Sequence, residues 1–279
     1  MSSWAQSKSV TGQCWTLVKE NRYFLVFPVV AFAIGVVLIL ILGVPAVVLM
    51  ASGTEEGAPW VAGLVLLVVM AYLIAFGTQF SMAALVAAAD EELHGRQSSV
   101  GGGFGRARKR IGAIAAWAGL AALFRIAMAV IQDKAGTAGE IVSIVGGVAW
   151  RLVTFFVLPY IVLAEEGAIT GIKDSAKLLK KRWGMRLSGG IRIGGLIGLF
   201  AVLPAFIVLV IGIVVSFTGS AAVGLPIAVV ALIVLLAASL LLTTLRGVFA
   251  VALFRYAGDD QALGGFAPEE LEAAVTPKR

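Results

Sequence analysis

Residues that carry most enzyme chemistry are scarce in this sequence of 279 residues, which has one histidine, His94, and one cysteine, Cys14. One cysteine excludes an intrachain disulfide, and one histidine without a second histidine or a cysteine beside it does not make a metal site. The serines stand in no recognisable motif with a base, so the sequence indicates no nucleophilic catalysis. We therefore expect a protein that is not an enzyme and that uses no metal or cofactor.

Charged residues are also scarce, at 14% of the chain, whereas 60% of the residues are hydrophobic and the mean hydropathy is +0.99. A soluble domain has about 25% charged and about 45–50% apolar residues. The composition therefore predicts an all-α, polytopic transmembrane helical bundle. We expect residues 1–260 to form a single transmembrane domain and residues 261–279 to form a mobile cytoplasmic tail.

Six apolar runs are long enough to cross about 30 Å of hydrocarbon. They cover residues 24–50, 60–88, 111–131, 140–163, 191–218 and 224–254. Gly43 and Pro45 interrupt the first run. This run is longer than the apolar core of a signal peptide, so we expect it to insert as an uncleaved span.

Positive charge is distributed unevenly over the connections. Eighteen lysines and arginines lie in the N-terminal segment, the second and fourth connections and the C-terminal end, whereas the other three connections hold only Lys134. Because positive charge marks the cytoplasmic side, we predict a multi-pass protein of the cell membrane with both termini in the cytoplasm. The basic residues follow the ends of apolar runs, so the expected partners are membrane lipids with anionic headgroups rather than nucleic acid.

Spans two, four and six end with the same pattern. At each end an acidic pair is followed within five residues by a glycine. Basic segments precede spans one, three and five. This order predicts three repeats of an amphipathic helix plus a transmembrane hairpin, at about residues 2–92, 98–166 and 167–260. For the acidic pairs we expect ion pairing, such as Glu92 with Arg96, rather than acid–base catalysis.

The segment before span five has the pattern of a helix that lies in the membrane interface. Ile172, Ala176, Leu179 and Trp183 fall on one stripe, with lysines beside or opposite it. The alternative is a solvated basic helix packed on the bundle. The segments before spans three and five together contribute the basic residues that we expect at the membrane surface: Arg106, Arg108, Lys109, Arg110, Lys173, Lys177, Lys180, Lys181 and Arg182.

Two glycine patterns predict backbone behaviour rather than chemistry. Gly190, Gly194 and Gly198 recur at four-residue spacing, which lets another helix approach closely. We expect that helix to come from the same chain; a second protomer or another membrane subunit is the alternative. Residues 101–105 contain four glycines and predict a flexible hinge, since no strand precedes them and no Gly-Lys-Ser/Thr follows.

Three arginines, Arg125, Arg151 and Arg246, lie inside predicted spans, and no Asp or Glu lies in a span interior to neutralise them. Their spacing from the helix ends predicts one layer about 21–22 Å from the cytoplasmic edge, at 1.5 Å per residue. A charge at depth costs about 2.5–3.5 kcal/mol. We expect either an anion or lipid phosphate bound by this layer, with Thr78 and Gln79 at the matching place of span two, or snorkelling to the outer headgroups.

Residues 150–159, 165–167 and 175–184 resemble an uncharacterised family of six-span prokaryotic integral membrane proteins. Ser3, Trp4, Trp15, Phe27 and Pro28 fit the same family. A looser similarity extends to the membrane domain attached to some glycerophosphodiester phosphodiesterases, whose catalytic barrel has no counterpart in this chain. The resemblance implies a fold and a membrane location, and it implies no reaction.

The leading hypothesis from the sequence is an integral membrane protein that binds or handles anionic lipid. A transporter or channel for a small anion or another solute is the second hypothesis, although the threefold pattern differs from the paired inverted repeats of many transporters. A structural membrane subunit that recruits a cytoplasmic partner through its basic helices is the third.

Overall fold

The computed structural model describes residues 3–53, 57–134, 136–183, 202–260 and 262–275. Among these residues there are helices and no strands, which confirms the predicted all-α class. The helices are α1 (Ser3–Glu20), α2 (Val26–Leu38), α3 (Val44–Ser52), α4 (Ala58–Leu93), α5 (Val100–Lys109), α6 (Ile111–Lys134), α7 (Gly136–Val153), α8 (Val157–Leu163), α9 (Ala168–Trp183), α10 (Leu203–Thr218), α11 (Ala221–Asp259) and α12 (Pro268–Val275).

Five helical segments of the described chain are long and apolar enough to cross a membrane. They are Arg22–Ser52, Ala58–Leu93, Ile111–Lys134, Val142–Leu163 and Ala221–Asp259, and each matches a predicted span. The remaining predicted span is described only from Val202 onward, where α10 forms an apolar helix of 16 residues. Its glycine stripe, Gly190, Gly194 and Gly198, lies outside the described residues.

The first span contains one wide helical turn, at the point where Gly43 and Pro45 interrupt the apolar run. A π-helical turn, Ile39–Gly43, joins α2 to α3, and the Val44 N–H donates to the Ile39 carbonyl. Pro45 has no N–H to donate, so the regular ladder cannot continue through this point. The wide turn keeps the span helical while shifting the register of the side chains that follow.

The fourth span is broken where the sequence predicts one continuous helix. Residues 154–156 form turns between α7 and α8, and the Phe156 N–H donates 3.2 Å to Ser175 Oγ on α9. Pro159, in the first turn of α8, removes a donor and disfavours an unbroken helix before it. The break therefore lets α9 dock against α8 through the fully buried Ser175.

The buried core is concentrated at one end of the bundle. It joins Val10 and Cys14 of α1 with residues 83–89 of α4 and residues around Phe249 of α11. We call this the collar end, and the opposite one the outer end. Toward the outer end the helices expose large apolar side chains, such as Val65 and Ile233, as expected for surfaces in contact with lipid tails.

Both termini lie at the collar end, because α1 packs against α12. Where the sequence predicts a mobile tail after residue 260, the structure instead has the short helix α12, whose Leu271 is fully buried. Two apolar residues of the tail, Phe266 and Leu271, join the main core. Burial of this pair is the physical reason for the difference.

The glycine-rich segment 101–105 is helical, so the predicted hinge is wrong. Ser99 caps α5 by accepting a hydrogen bond of 3.0 Å from the Gly102 N–H. A Cβ on Gly103 would lie 2.6 Å from the Ala84 carbonyl oxygen of α4. Glycine at this position therefore serves close helix packing rather than flexibility.

A basic helix precedes each predicted hairpin in the chain. These helices are α1, α5 and α9. The three helices differ in length, at 18, 10 and 16 residues. The threefold repeat therefore stays a prediction.

Candidate functional site

The collar end is held together by a buried ion pair between two spans. Arg255 of α11 donates from Nε and Nη2 to the two carboxylate oxygens of Asp90 on α4, at 2.8 and 3.0 Å. The Asp90 side chain is 2% exposed, and Arg106 of α5 lies 3.9 Å from it. A bidentate arginine fixes direction as well as distance. This pair therefore joins α4 to α11, with α5 beside them.

The acidic residues next to Asp90 bind other parts of the collar. Glu91 pairs with Arg96, so the predicted pairing of Glu92 with Arg96 is wrong. Glu92 instead accepts hydrogen bonds from the Tyr23 hydroxyl at 2.7 Å and from the Ser98 N–H at 2.9 Å. The register at the end of α4 decides this, because helical neighbours point about 100° apart. These carboxylates have structural partners.

Arg110 closes the end of the fourth span. Its guanidinium donates to the carbonyl oxygens of Ile161, Glu165 and Glu166, at 3.2 Å for Ile161 and 2.9 Å for Glu166. The last carbonyls of a helix have no intrahelical donor, so an arginine placed there satisfies them. Glu165 has φ of 58°, in the left-handed region that reverses the chain. Arg110 is therefore a structural residue of the collar rather than a free surface cation.

A carboxyl pair lies where α8 meets α9. Burial, and then the neighbouring Asp174, raise the pKa of Glu166, and its Oε2 is buried without a hydrogen-bond partner among the described residues. Lys177 donates 2.7 Å to Asp174, and this bond lowers the pKa of Asp174. A proton added to the pair therefore goes to Glu166 first.

The cations that the sequence places at the membrane surface fall into two groups. Four are engaged by the protein: Arg106 and Arg110 as above, Lys177 with Asp174, and Arg182, which pairs with Asp260 and lies 4.8 Å from the centre of the Tyr256 ring. Five others are exposed and make no hydrogen bond or ion pair with any described residue: Arg108, Lys109, Lys173, Lys180 and Lys181. The second group is the part of the collar available to a ligand.

The helix α9 carries both lysines and apolar side chains on its exposed surface. Ser175 and Leu179 are buried against the bundle, Ile172 is half-buried, and Ile169 is 61% exposed. The face of α9 that packs against the bundle is therefore rotated from the apolar stripe that the sequence predicts. Of the stripe residues described, only Leu179 is buried in this face. The side chain of Trp183 lies outside the described residues.

Two of the three arginines that the sequence places inside spans lie at a similar level of neighbouring helices. Phe124 of α6 stacks on Trp150 of α7 with ring centroids 4.1 Å apart. Arg125 and Arg151 directly follow these two residues, so both lie at the level of the ring stack, and both are exposed. The Arg151 Nε donates 3.3 Å to the Gly147 carbonyl of its own helix. They belong to the α6–α7 hairpin, on different helices from Arg246.

Arg246 lies between the exposed apolar residues of α11 and the collar end of this helix. The helix α11 is 39 residues long, and Arg246 is about 38 Å from its outer end at 1.5 Å per residue. Large exposed apolar residues on α11 run only from Val223 to Val234. Since hydrocarbon is about 30 Å thick, Arg246 lies at the collar side of the apolar belt. The sequence could not show this, because α4 and α11 continue beyond the belt into the collar.

Thr78 lines a cavity of about 310 Å³ between α2, α4 and α11, together with Thr243. Both hydroxyls donate 2.8 Å to carbonyls of their own helices, at Ile74 and Ser239. Arg246 follows Thr243 by three residues, which makes the two side chains neighbours on the helix surface. Gln79 is half-buried and does not line this cavity.

The remaining chemistry-bearing residues have structural surroundings. The His94 ring hydrogen-bonds the Asp90 carbonyl oxygen at 2.7 Å, and Cys14 is fully buried in the core. In the described part of the chain, no group of three or more His, Cys, Asp or Glu side chains is arranged to hold a metal ion.

Comparison with known protein families identifies a match. A model of a family of unknown function, DUF6159, matches residues 58–265, which is more than half of the chain. No curated protein matches the chain, and no solved structure matches it.

Proposed function

We propose that this chain, which belongs to the family of unknown function DUF6159, is a membrane protein that binds anionic lipid at the collar end. The observation that carries the proposal is the division of the collar cations. Arg106, Arg110 and Arg182 are held by protein partners, whereas Arg108, Lys109, Lys173, Lys180 and Lys181 are exposed without such partners. Unpaired cations beside an apolar belt favour anionic headgroups as their partners.

The proposed orientation places the collar in the cytoplasm. The collar end carries nearly all the positive charge of the connections, and the outer end carries Lys134. The positive-inside rule associates such an end with the cytoplasmic leaflet. That leaflet has a negative surface potential, which attracts basic segments by about 1 kcal/mol per residue near the surface.

The helix α9 supports the proposal through its apolar residues. Ile169 is exposed beside the lysines, and Ile172 is half-buried. An apolar edge next to a basic edge is typical of helices that lie in the membrane interface. In this arrangement Lys180 and Lys181 reach headgroups while Ile169 contacts acyl chains.

We propose no reaction for the protein. The two residue types best suited to catalysis have structural surroundings, since His94 bonds a backbone carbonyl and Cys14 is buried. Transport of a solute and recruitment of a cytoplasmic partner are the competing functions, and the lipid experiment below separates them from lipid binding.

The test is native mass spectrometry of the protein in detergent, titrated with equal amounts of phosphatidylglycerol and phosphatidylcholine. We expect the wild-type protein to retain phosphatidylglycerol preferentially. The double variant Lys180→Gln/Lys181→Gln should lose roughly tenfold or more of this preference, at about 1 kcal/mol per cation. The control Lys134→Gln removes a positive charge from the outer end and should leave the preference unchanged.

Two outcomes would contradict the proposal. One is equal retention of the two lipids by the wild-type protein. The other is an unchanged preference in the lysine variant, provided that its thermal unfolding matches that of the wild-type protein.

A further inference from the structure

Two apolar cavities meet along the membrane-facing side of α2. The first, of about 310 Å³, is lined by α2, α4 and α11. The second, of about 380 Å³, is lined by the π-helical turn, α3 and α4, and Ile39 borders both. Phe32 and Val36 in the first cavity and Val47 in the second are exposed. The two cavities are therefore adjacent at Ile39, and we call them together the groove, which opens toward the surrounding lipid.

The π-helical turn shapes this groove. A Cβ on Gly43 would lie 2.9 Å from Met70 Sδ, so glycine lets α4 approach closely at this point. Beside the contact, the turn Ile39–Gly43 is wider than an α-helical turn and leaves space along α2. Wide turns of this kind are often found at functional sites.

The first cavity runs lengthwise along the span. Its lining on α2 extends from Pro28 to Ile39, which is about 16 Å at 1.5 Å per residue. This equals about half of the hydrocarbon thickness. The cavity therefore matches the acyl region of one leaflet in length, starting near the collar.

The polar groups of the groove lie toward its collar end. Thr78 and Thr243 are in its lining, and Arg246 lies one turn beyond Thr243. Helical side chains lean toward the N-terminus of their helix, so Arg246 leans from the collar toward Thr243. Arg246 is exposed and has no acidic partner among the residues that the structure describes. An anion at this place would neutralise it.

We infer that this groove holds one acyl chain of an anionic phospholipid whose phosphate binds Arg246. The inference rests on the proposed function and assigns it a specific site within the membrane. The phosphate accepts hydrogen bonds from the guanidinium, whose planar fork fits two oxygens. The acyl chain runs from Arg246 past Thr243 and Phe32 toward the π-helical turn. Apolar walls and a single cation select a lipid over a soluble anion.

Gly35 provides a way to close the groove. It lies in the lining of the first cavity, and a Cβ placed on it meets no atom within 4 Å. Gly35→Leu therefore fills the groove without a clash at the backbone. Gly147 of α7 also has open space around its Cβ position, so Gly147→Leu is a matched control in another span.

The experiment uses phosphatidylglycerol with a photoreactive group on one acyl chain, added in a small excess to the full-length protein in detergent. Mass spectrometry then locates the labelled peptides. We expect labelling of the α2 peptide that contains Phe32 and Val36, and at least a fivefold loss of this labelling in Gly35→Leu and in Arg246→Gln. Gly147→Leu should retain most of it, and Arg246→Lys should retain part of it, because lysine keeps the charge but not the planar fork. Unlabelled phosphatidylglycerol should compete, and glycerol phosphate should not.

Labelling of α2 that persists unchanged in both Gly35→Leu and Arg246→Gln would overturn the groove site. If phosphatidylglycerol is still preferred through Lys180 and Lys181 in that case, the proposed function stands without the groove. Equal competition by phosphatidylcholine would overturn the preference of this site for an anionic phospholipid. Arg246→Gln replaces an exposed side chain, so its folding can be verified by thermal unfolding independently of Gly35→Leu.

Discussion

Asp90 and Arg255, which are 165 residues apart in the chain, form a bidentate ion pair that joins the collar ends of α4 and α11. The Asp90 side chain is 2% exposed and that of Arg255 is 22% exposed. The pair lies beyond the apolar belt, in the part of both helices that the collar encloses. It holds together α4 and α11, two of the helices that line the groove.

Removal of Arg255 should destabilise the protein strongly. Arg255→Gln leaves the Asp90 carboxylate buried, with Arg106 only at 3.9 Å. Breaking a buried pair from one side costs about 3–5 kcal/mol. The free energy of unfolding, measured in detergent, should fall by this order. The double variant Asp90→Asn/Arg255→Gln should regain part of the loss, and Arg108→Gln is the control at an exposed, unpaired arginine. The comparison also uses the single variant Asp90→Asn. The pairing would be contradicted if the double variant lost as much free energy of unfolding as the two single variants lose together.

The glycines of α5 should respond oppositely to alanine. A Cβ on Gly103 would lie 2.6 Å from the Ala84 carbonyl oxygen and 2.9 Å from the Phe27 ring, whereas one on Gly105 meets nothing within 4 Å. Gly103→Ala should therefore destabilise by about 1–3 kcal/mol through overpacking. Gly105→Ala should stabilise by about 0.5–1 kcal/mol, because alanine favours the helix. Thermal unfolding of both variants tests this, and a stabilising effect of Gly103→Ala would contradict the close packing of α5 against α4.

The carboxyl pair at the α8–α9 junction should make stability depend on pH. The pKa of Glu166 is raised in the folded protein above its ordinary value of 4.5. The stability that protonated Glu166 contributes to the folded protein is therefore fully present below pH 4.5. It is lost as the pH rises through the raised pKa. Glu166→Gln stays neutral, so its melting temperature should exceed that of the wild-type protein by a margin that grows with pH above 4.5.

The pKa of the neighbouring Asp174 is shifted in the opposite direction, so its effect on stability depends on pH in the opposite way. Its pKa is lowered from 3.8, so its contribution is present above that value and is lost only as the pH falls through the lowered pKa. The double variant Glu166→Gln/Asp174→Asn serves as the control, because it removes both charges. A margin for Glu166→Gln that does not change between pH 5 and pH 8 would contradict the pairing.

Labelling of Cys14 should report the docking of the N-terminal helix. Burial raises the pKa of the Cys14 thiol to about 12, so the reactive thiolate is scarce at neutral pH and reagents have no access. We expect maleimide to react with the native protein far more slowly than with the unfolded one. Deletion of residues 268–279, which include α12, should accelerate labelling because α12 packs against α1. Equal rates with and without these residues would show that α12 does not protect α1.

The spans were predictable because a membrane imposes one simple requirement on each of them. A run of about 20 apolar residues must be helical, since no other partner exists for its backbone in hydrocarbon. The interruption at Gly43 and Pro45 was also predictable, because Pro45 has no N–H to donate to the helical ladder. The break before Pro159 was not, because it depends on Ser175 of a different helix.

The collar was predictable in composition but not in its contacts. Charge counting identified its cations, yet only packing separates Arg110, which caps α8, from the neighbouring Lys109, which is exposed. The depth of Arg246 in the bilayer stays a prediction, because sequence spacing does not show how far a helix extends beyond the bilayer. Gly35 and Thr243 carried no signal in the sequence, since they are ordinary residues of apolar helices.

An experimental structure of the protein in lipid nanodiscs that contain phosphatidylglycerol and phosphatidylcholine would show whether anionic lipid occupies the groove and the collar. We expect elongated density in the groove between α2, α4 and α11, with a headgroup at Arg246 and further headgroups at Lys180 and Lys181. A groove closed by its own side chains, with no ordered lipid at either place, would contradict this expectation.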